Sequence, residues 1–457
     1  MSYRALQAQG FQMPQIPSQG ERRPCYTVSV GALAALKGAS NRMKRIRTIL
    51  ISISSILALY IVVGTLFGRA DSSSDQTYRN LGVYSEVLSR IKSDYVTEPD
   101  LHKVTGGAIR GLLEALDPYS TYFTAQEYQE YLEHPDPGPA SIGIFLSKRY
   151  GFATVVAVLP GSPAEKAGIK AGDLIDRVET MPAREMSVVQ IMRKLSGQPG
   201  TEVNLWVVGE ARGEPQKVTV TRAVLSEPPA LAKMIDDKTG YVRVVTFNKG
   251  KAAEIASKVK GLTAGGADKL VLDLRSCAGG EVQEAVETAS LFLQSGLIAY
   301  TQGQRSPRQD ITAKSNGTLF TMPVVVLINH STAGPAELVA DAMLGNKRAE
   351  VVGSPSFGVG VVQKPIPVGD GSGLLLSIAK YYGPDGKAIQ DNGVTPSVLS
   401  PSGDETAEEE VNPEAPEHFG ENDDQQLRKA IEILKQKVAP AKAAETLRPY
   451  HQPAKAA

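Results

Sequence analysis

Four short apolar runs dominate the second half of the chain: "YVRVVTF" from Tyr241, "KLVLDLR" from Lys269, "PVVVLIN" from Pro323 and "EVVGS" from Glu350. Runs this continuous are strands buried on both faces rather than one. The segments between them, "KAAEIASKVKGL", "EVQEAVETASLFL" and "PAELVADAML", repeat their apolar residues at three- and four-residue steps, the period of a helix. Strands that alternate with helices in this way predict an α/β core with mostly parallel strands over residues 226–400.

The remainder of the chain reads as a multidomain α/β protein. Residues 138–225 change character, with short β-rich runs such as "EVNLWVVG" and "QKVTVTRAV" around a short helix from Ser162 and a second helix in "SVVQIMRKL". That pattern predicts a small, partly open β-barrel. Ahead of it, residues 77–135 form a helical segment in which Leu81, Tyr84, Leu88, Ile91 and Tyr95 share one face. Residues 71–76, "DSSSDQ", read as a polar linker, and "PDPGP" at 135–139 marks a boundary. Beyond residue 400 the pattern breaks into an acidic linker with ten acids and no Lys or Arg over 404–424. A short amphipathic helix on Leu427, Ile431, Leu434 and Val438 and a disordered tail complete residues 401–457.

Residues 48–68, from Thr48 to Gly68, carry no charge over 21 positions, a length that crosses a bilayer core. The preceding tail, residues 1–47, holds eight Lys or Arg against Glu21 alone. This bias places the N-terminus in the cytoplasm and the remainder in the periplasm or outside the cell. A cleaved signal peptide ending at the small residues Gly68 and Ala70 is the competing reading, but 47 residues is long for its leading segment.

Composition excludes several classes. Lys plus Arg and Asp plus Glu both total 49, so nothing points to nucleic acid. Two cysteines, Cys25 and Cys277, make no disulfide framework, and the five histidines show no metal-ligand spacing. No metal and no cofactor are expected. Cys277 has no evident basic partner and reads as a small buried residue at a strand end. His330 and Ser331 are adjacent and so point to opposite sides of an extended backbone. Ser354, Ser356 and Lys364 read as turn or solvent-facing residues.

"SIGI" at Ser141, Ile142, Gly143 and Ile144, followed by "PGSPAEKAGIKAGDLI", resembles a PDZ domain. The resemblance implies that backbone amides of 141–144 capture the terminal carboxylate of a peptide, which then adds to the next strand. Residues 77–400 as a whole resemble the carboxyl-terminal processing peptidases, the S41 family. The resemblance rests on "LDPYSTYF" (116–123), "VLDLRSCAGG" (271–280), "INHSTAGPAELVADAMLGNKRAEVVG" (328–353), "SFGVGVVQ" (356–363) and "YYGPDGKAIQDNGVTPSV" (381–398).

That family implies a serine nucleophile and a lysine base 25 positions later. Here Glu337 sets the register, and the two positions hold Gly334 and Val359. Gln363 matches the glutamine that orients the lysine, and Gly279 or Gly280 matches the glycine of the oxyanion hole. The second donor of the hole is the amide of the residue after the serine, and Pro335 has none. One lost donor costs about 3 kcal/mol of transition-state stabilisation. "GPAE" is also a good helix start, with Pro335 at the first position and Glu337 in the first turn.

The expectation is a membrane-anchored, catalytically inactive homologue that binds C-terminal or unfolded peptide segments. It would act as a regulator or scaffold, alone, as a homodimer or with an active paralogous peptidase. Two alternatives remain: an active serine-type endopeptidase with a displaced nucleophile, Ser331 or Thr332, and an adaptor in which the PDZ domain alone matters.

Overall fold

A computed structural model describes residues 49–60, 72–135, 138–209, 213–314, 319–400 and 424–438. The basic tail, the second part of the apolar run, the acidic linker and the final tail lie outside them. The chain divides into two compact units, 1–99 and 100–457.

In the first unit, residues 49–60 are helical and exposed, and a second helix spans Ser72–Asp94. Among the described residues no helix is long and apolar enough to cross a membrane. The expected span 48–68 continues into residues outside the description. The polar stretch 71–76 is helical from Ser72, not a linker.

The second unit opens with a helix, Leu101–Glu114, capped by Asp100, whose carboxylate accepts from the amides of His102 and Lys103. At the following turn Asp117 Oδ1 accepts from the amides of Tyr119 at 2.8 Å and Ser120 at 2.7 Å. The β-rich region is an open sheet in the order Ile144–Arg149, Phe152–Val158, Leu174–Val178, Glu202–Val208, Gln216–Thr221. Its apolar face, with Ile142, Leu146 and Leu205, packs on Ile191 and Leu195 of the helix Val188–Leu195.

The core contains two sheets of different kinds. In the first, Thr239–Arg243, Lys269–Asp273, Val324–Ile328, Ala349–Gly353 and Val398–Leu399 pair in parallel, and Leu231–Met234 adds an antiparallel edge. Leu270, Leu272, Val324, Val326 and Val351 face the helices Lys251–Ala264, Val282–Phe292 and Pro335–Gly345. Val271, Val325, Leu327 and Val352 face Leu427, Ala430 and Leu434 of the helix Gln425–Val438. That helix is pinned at its start by Arg275, whose guanidinium reaches Asp273 at 2.5 Å and Asp424 at 2.8 Å.

The second sheet is antiparallel throughout, joining Thr121–Phe123, Gly373–Tyr382, Leu297–Gln302 and Gln309–Thr312, with Val361–Pro367 also on Gly373–Tyr382. The expectation of mostly parallel strands is corrected accordingly. Hairpin partners such as 361–367 and 373–382 need only a short turn, whereas parallel neighbours need a crossover helix.

Candidate functional site

The apolar strand Val324–Ile328 ends at a loop that turns into the helix Pro335–Gly345. Asn329 shapes that loop: its Oδ1 accepts from the amides of Ser276 at 2.8 Å and Ser331 at 3.2 Å. Thr332 is fully buried, donates from Oγ1 to the Leu274 carbonyl at 2.8 Å, and accepts from the Asn329 amide at 3.0 Å. A hydroxyl committed in both directions and shut from solvent cannot attack a substrate, so Thr332 is a structural residue. Ser331, half-buried, donates its amide to Asn329 Oδ1 at 3.2 Å, and among the described residues its hydroxyl has no hydrogen-bond partner.

Gly334 has φ 65° and ψ −122°. This is a positive-φ conformation that an L side chain adopts only under strain. Nothing lies within 4 Å of where its Cβ would stand. The position is therefore sharply turned, with space in front of it and no side chain to fill that space. Pro335 follows, buried, at the first helical position.

Glu337 is the centre of the site, at 0 % exposure. Its Oε2 accepts from the amides of Gly334 and Val359, each at 2.8 Å. Its Oε1 accepts from the Gly358 amide at 2.7 Å and the Ser356 hydroxyl at 2.5 Å. Ser356 Oγ in turn accepts from the Val394 amide at 2.6 Å. Burial pushes the Glu337 carboxyl up to about 7, against these hydrogen bonds, which favour its anion. Ser356 and Ser354 are both buried, which corrects the solvent-facing reading. The Ser356 hydroxyl turns inward because Glu337 and the Val394 amide hold it. Lys364 is exposed.

Val359 therefore sits one hydrogen bond from the same carboxylate as Gly334. Its side chain, with that of Val361, packs against the apolar cluster that the β-rich domain forms together with Tyr119. Gln363 donates from Nε2 to the Tyr119 carbonyl at 2.8 Å, and the Tyr119 hydroxyl bonds Ser147 Oγ at 2.7 Å. Burial pushes the Tyr119 phenol up to about 12.

Gly279 and Gly280 have φ 76° and 99°. A Cβ at Gly280 would stand 2.3 Å from the Phe247 backbone, which the loop meets through Phe247 N–H to Gly279 C=O at 3.2 Å. The Ala333 amide donates to the Cys277 carbonyl at 2.9 Å, which brings this loop beside the turn at Gly334. Cys277 is fully buried, and burial beside Asp273 pushes its thiol far up, which makes it inert.

In the loop 141–144, Gly143 has φ 86°, and a Cβ there would meet the Ser162 Cβ at 2.3 Å. The Ile142 carbonyl accepts from Ala164, the Gly143 carbonyl from Leu159, and the Gly143 amide donates to Ser141 Oγ at 3.1 Å. Ile142 and Ile144 are buried. Among the described residues no group of three or more His, Cys, Asp or Glu could hold a metal ion.

Two links were not legible in the sequence: the contact of Val359 with the β-rich domain, and the bridge from Gln363 through Tyr119 to Ser147. Both depend on residues more than 100 positions apart, Gln363 and Tyr119 being 244 apart, and no local pattern announces them.

Known proteins resemble this chain. Peptidase family S41 matches residues 238–400, and the PDZ domain matches residues 154–208. The carboxy-terminal-processing protease of Bartonella bacilliformis is 30% identical over 335 residues, covering 72% of this chain and 76% of that protein. The carboxy-terminal processing protease CtpA of Bacillus subtilis is 29% identical over 349 residues, covering 76% and 74%. The solved structure of a photosystem II D1 C-terminal processing protease superposes with a TM-score of 0.58 at 26% identity, covering 70% of this chain and 92% of that one. The chain belongs to peptidase family S41, among the carboxyl-terminal processing proteases, and carries a PDZ domain.

Proposed function

We propose that this chain is a pseudoprotease that binds the C-terminal segments of other proteins through its PDZ domain and does not cut them. One observation carries the reading. The two positions that meet at Glu337 hold a glycine and a valine, so there is no oxygen to acylate and no amine to activate it. Pro335 removes one oxyanion donor as well. What remains is the binding apparatus: the 141–144 loop, the strand after it and the glycine pair 279–280. The relatives are named for processing carboxyl termini, and the PDZ domain supports the same class of ligand here.

The chain would hold such segments as a regulator or scaffold, with an active paralogous peptidase as one partner. The uncharged run 48–68 and the basic residues before it support a membrane anchor with the PDZ domain and core outside the cytoplasm. The deciding experiment incubates the purified chain with an unfolded substrate bearing a free apolar C-terminus. Binding without cleavage is expected. Cleavage that disappears in Ser331→Ala would replace this reading with an active enzyme using a displaced nucleophile.

A further inference from the structure

Alternate residues of the PDZ strand Ile144–Arg149 meet the core and the segment before the PDZ domain. A Cβ at Gly279 would lie 3.5 Å from the Phe145 ring. Ser147 bonds Tyr119. Arg149 places its guanidinium 4.4 Å from the centroid of the Phe357 ring and donates from Nη2 to the Phe357 carbonyl at 2.7 Å. Two residues beyond Phe357, Val359 packs against the apolar cluster formed by the PDZ core together with Tyr119, and Val361 joins it. The loop 357–361 thus has two attachments. Its amides are held from beneath by Glu337, and its side chains are held from the PDZ side by Arg149 and the apolar cluster.

We propose that Val359 is an interdomain anchor: its side chain, together with the Arg149–Phe357 pair, fixes the core-facing side of the PDZ strand to the loop that carries the former base position. A branched, uncharged side chain suits this contact. It loses little rotamer freedom and buries apolar surface against apolar surface. An ammonium at the same place would give up that apolar contact and have to leave water. This assignment rests on packing alone and holds whether or not the chain cleaves peptides.

Amide hydrogen exchange on the full chain without substrate tests it, read on fragments spanning 145–152 and 356–361. Val359→Ala and, separately, Arg149→Ala are each expected to raise exchange about tenfold in both fragments. Val359→Ile should leave both at the wild-type rate. Fragments from 269–273 and 324–328 should not change, which establishes that the variants are folded. Reciprocity is the signature of an anchor, because a purely local defect raises exchange only around the altered residue. Exchange that rises only in the fragment carrying the substitution, or in neither, overturns the proposal. Val359→Lys provides a second reading, with exchange in 145–152 rising at least as far as in Val359→Ala. Wild-type exchange there would equally overturn it.

Discussion

The amides of Gly334 and Val359 donate to a single oxygen, Oε2 of Glu337, at 2.8 Å each. In the proposed reading these are the two dyad positions, held in register by one buried carboxylate, and the reagents of such a dyad, a serine and a lysine, are replaced there by glycine and valine.

Restoring those reagents singly should therefore fail. Gly334→Ser places its Cβ in open space but at φ 65°, a backbone strain of about 1–3 kcal/mol. It would still lack a base and an oxyanion donor. Val359→Lys alone has nothing to deprotonate. The triple variant Gly334→Ser, Pro335→Ala, Val359→Lys is the one expected to cleave detectably, because these groups act as a unit. Peptidase assays across the series check this, with activity in either single variant as the contrary outcome.

Glu337→Gln should destabilise the core by about 3 kcal/mol. The amide nitrogen of glutamine would face amide donors where an oxygen now accepts two of them. Urea unfolding of the variant should show a lower midpoint with an unchanged slope.

Asp341 gives the stability a pH dependence. Burial, and then the charge of Asp385, push its carboxyl up to about 7, partly offset by Lys387. The native state holds this proton more tightly than the unfolded chain does. Stability from this group is therefore present at acid pH and is lost as pH rises from about 4 to about 7. Asp341→Asn should be more stable than the wild type at pH 8, by about 2 kcal/mol, with the difference vanishing near pH 4. Thermal unfolding at both pH values reads it.

Peptides with a free C-terminus should bind more tightly than their amidated forms, with dissociation constants near ~1 μM. Gly143→Ala should abolish the difference, because a Cβ there would stand 2.3 Å from the Ser162 Cβ and distort the loop. Isothermal titration of both peptides against both proteins measures this. Equal affinity of acid and amide for the wild type would remove carboxylate capture.

A reporter fused after residue 400 should be active only if exported. This follows from eight Lys or Arg before the uncharged run against a single acid, Glu21. Cytoplasmic activity of the fusion would reverse the orientation.

The sequence by itself determined what depends on local order along the chain. The continuous apolar runs at 241, 269, 323 and 350 announced the buried strands of the parallel sheet. The family resemblance, with Glu337 setting the register, is what assigned Gly334 and Val359 to the dyad positions. Pro335 declared its missing amide wherever it folded. Tertiary structure alone decided what depends on neighbours distant in sequence. The antiparallel sheet brings 121–123 beside 373–375, and the helix 425–438 covers the second face of the parallel sheet. Ser356 lies buried between Glu337 and Val394, although its surroundings read as a turn. Val359 occupies a position the sequence could name, yet only the fold shows its side chain against the apolar cluster of the PDZ core and Tyr119. The reason is physical: periodicity and backbone chemistry are properties of adjacent residues. Side-chain direction and burial are set by whichever surface the folded chain brings opposite.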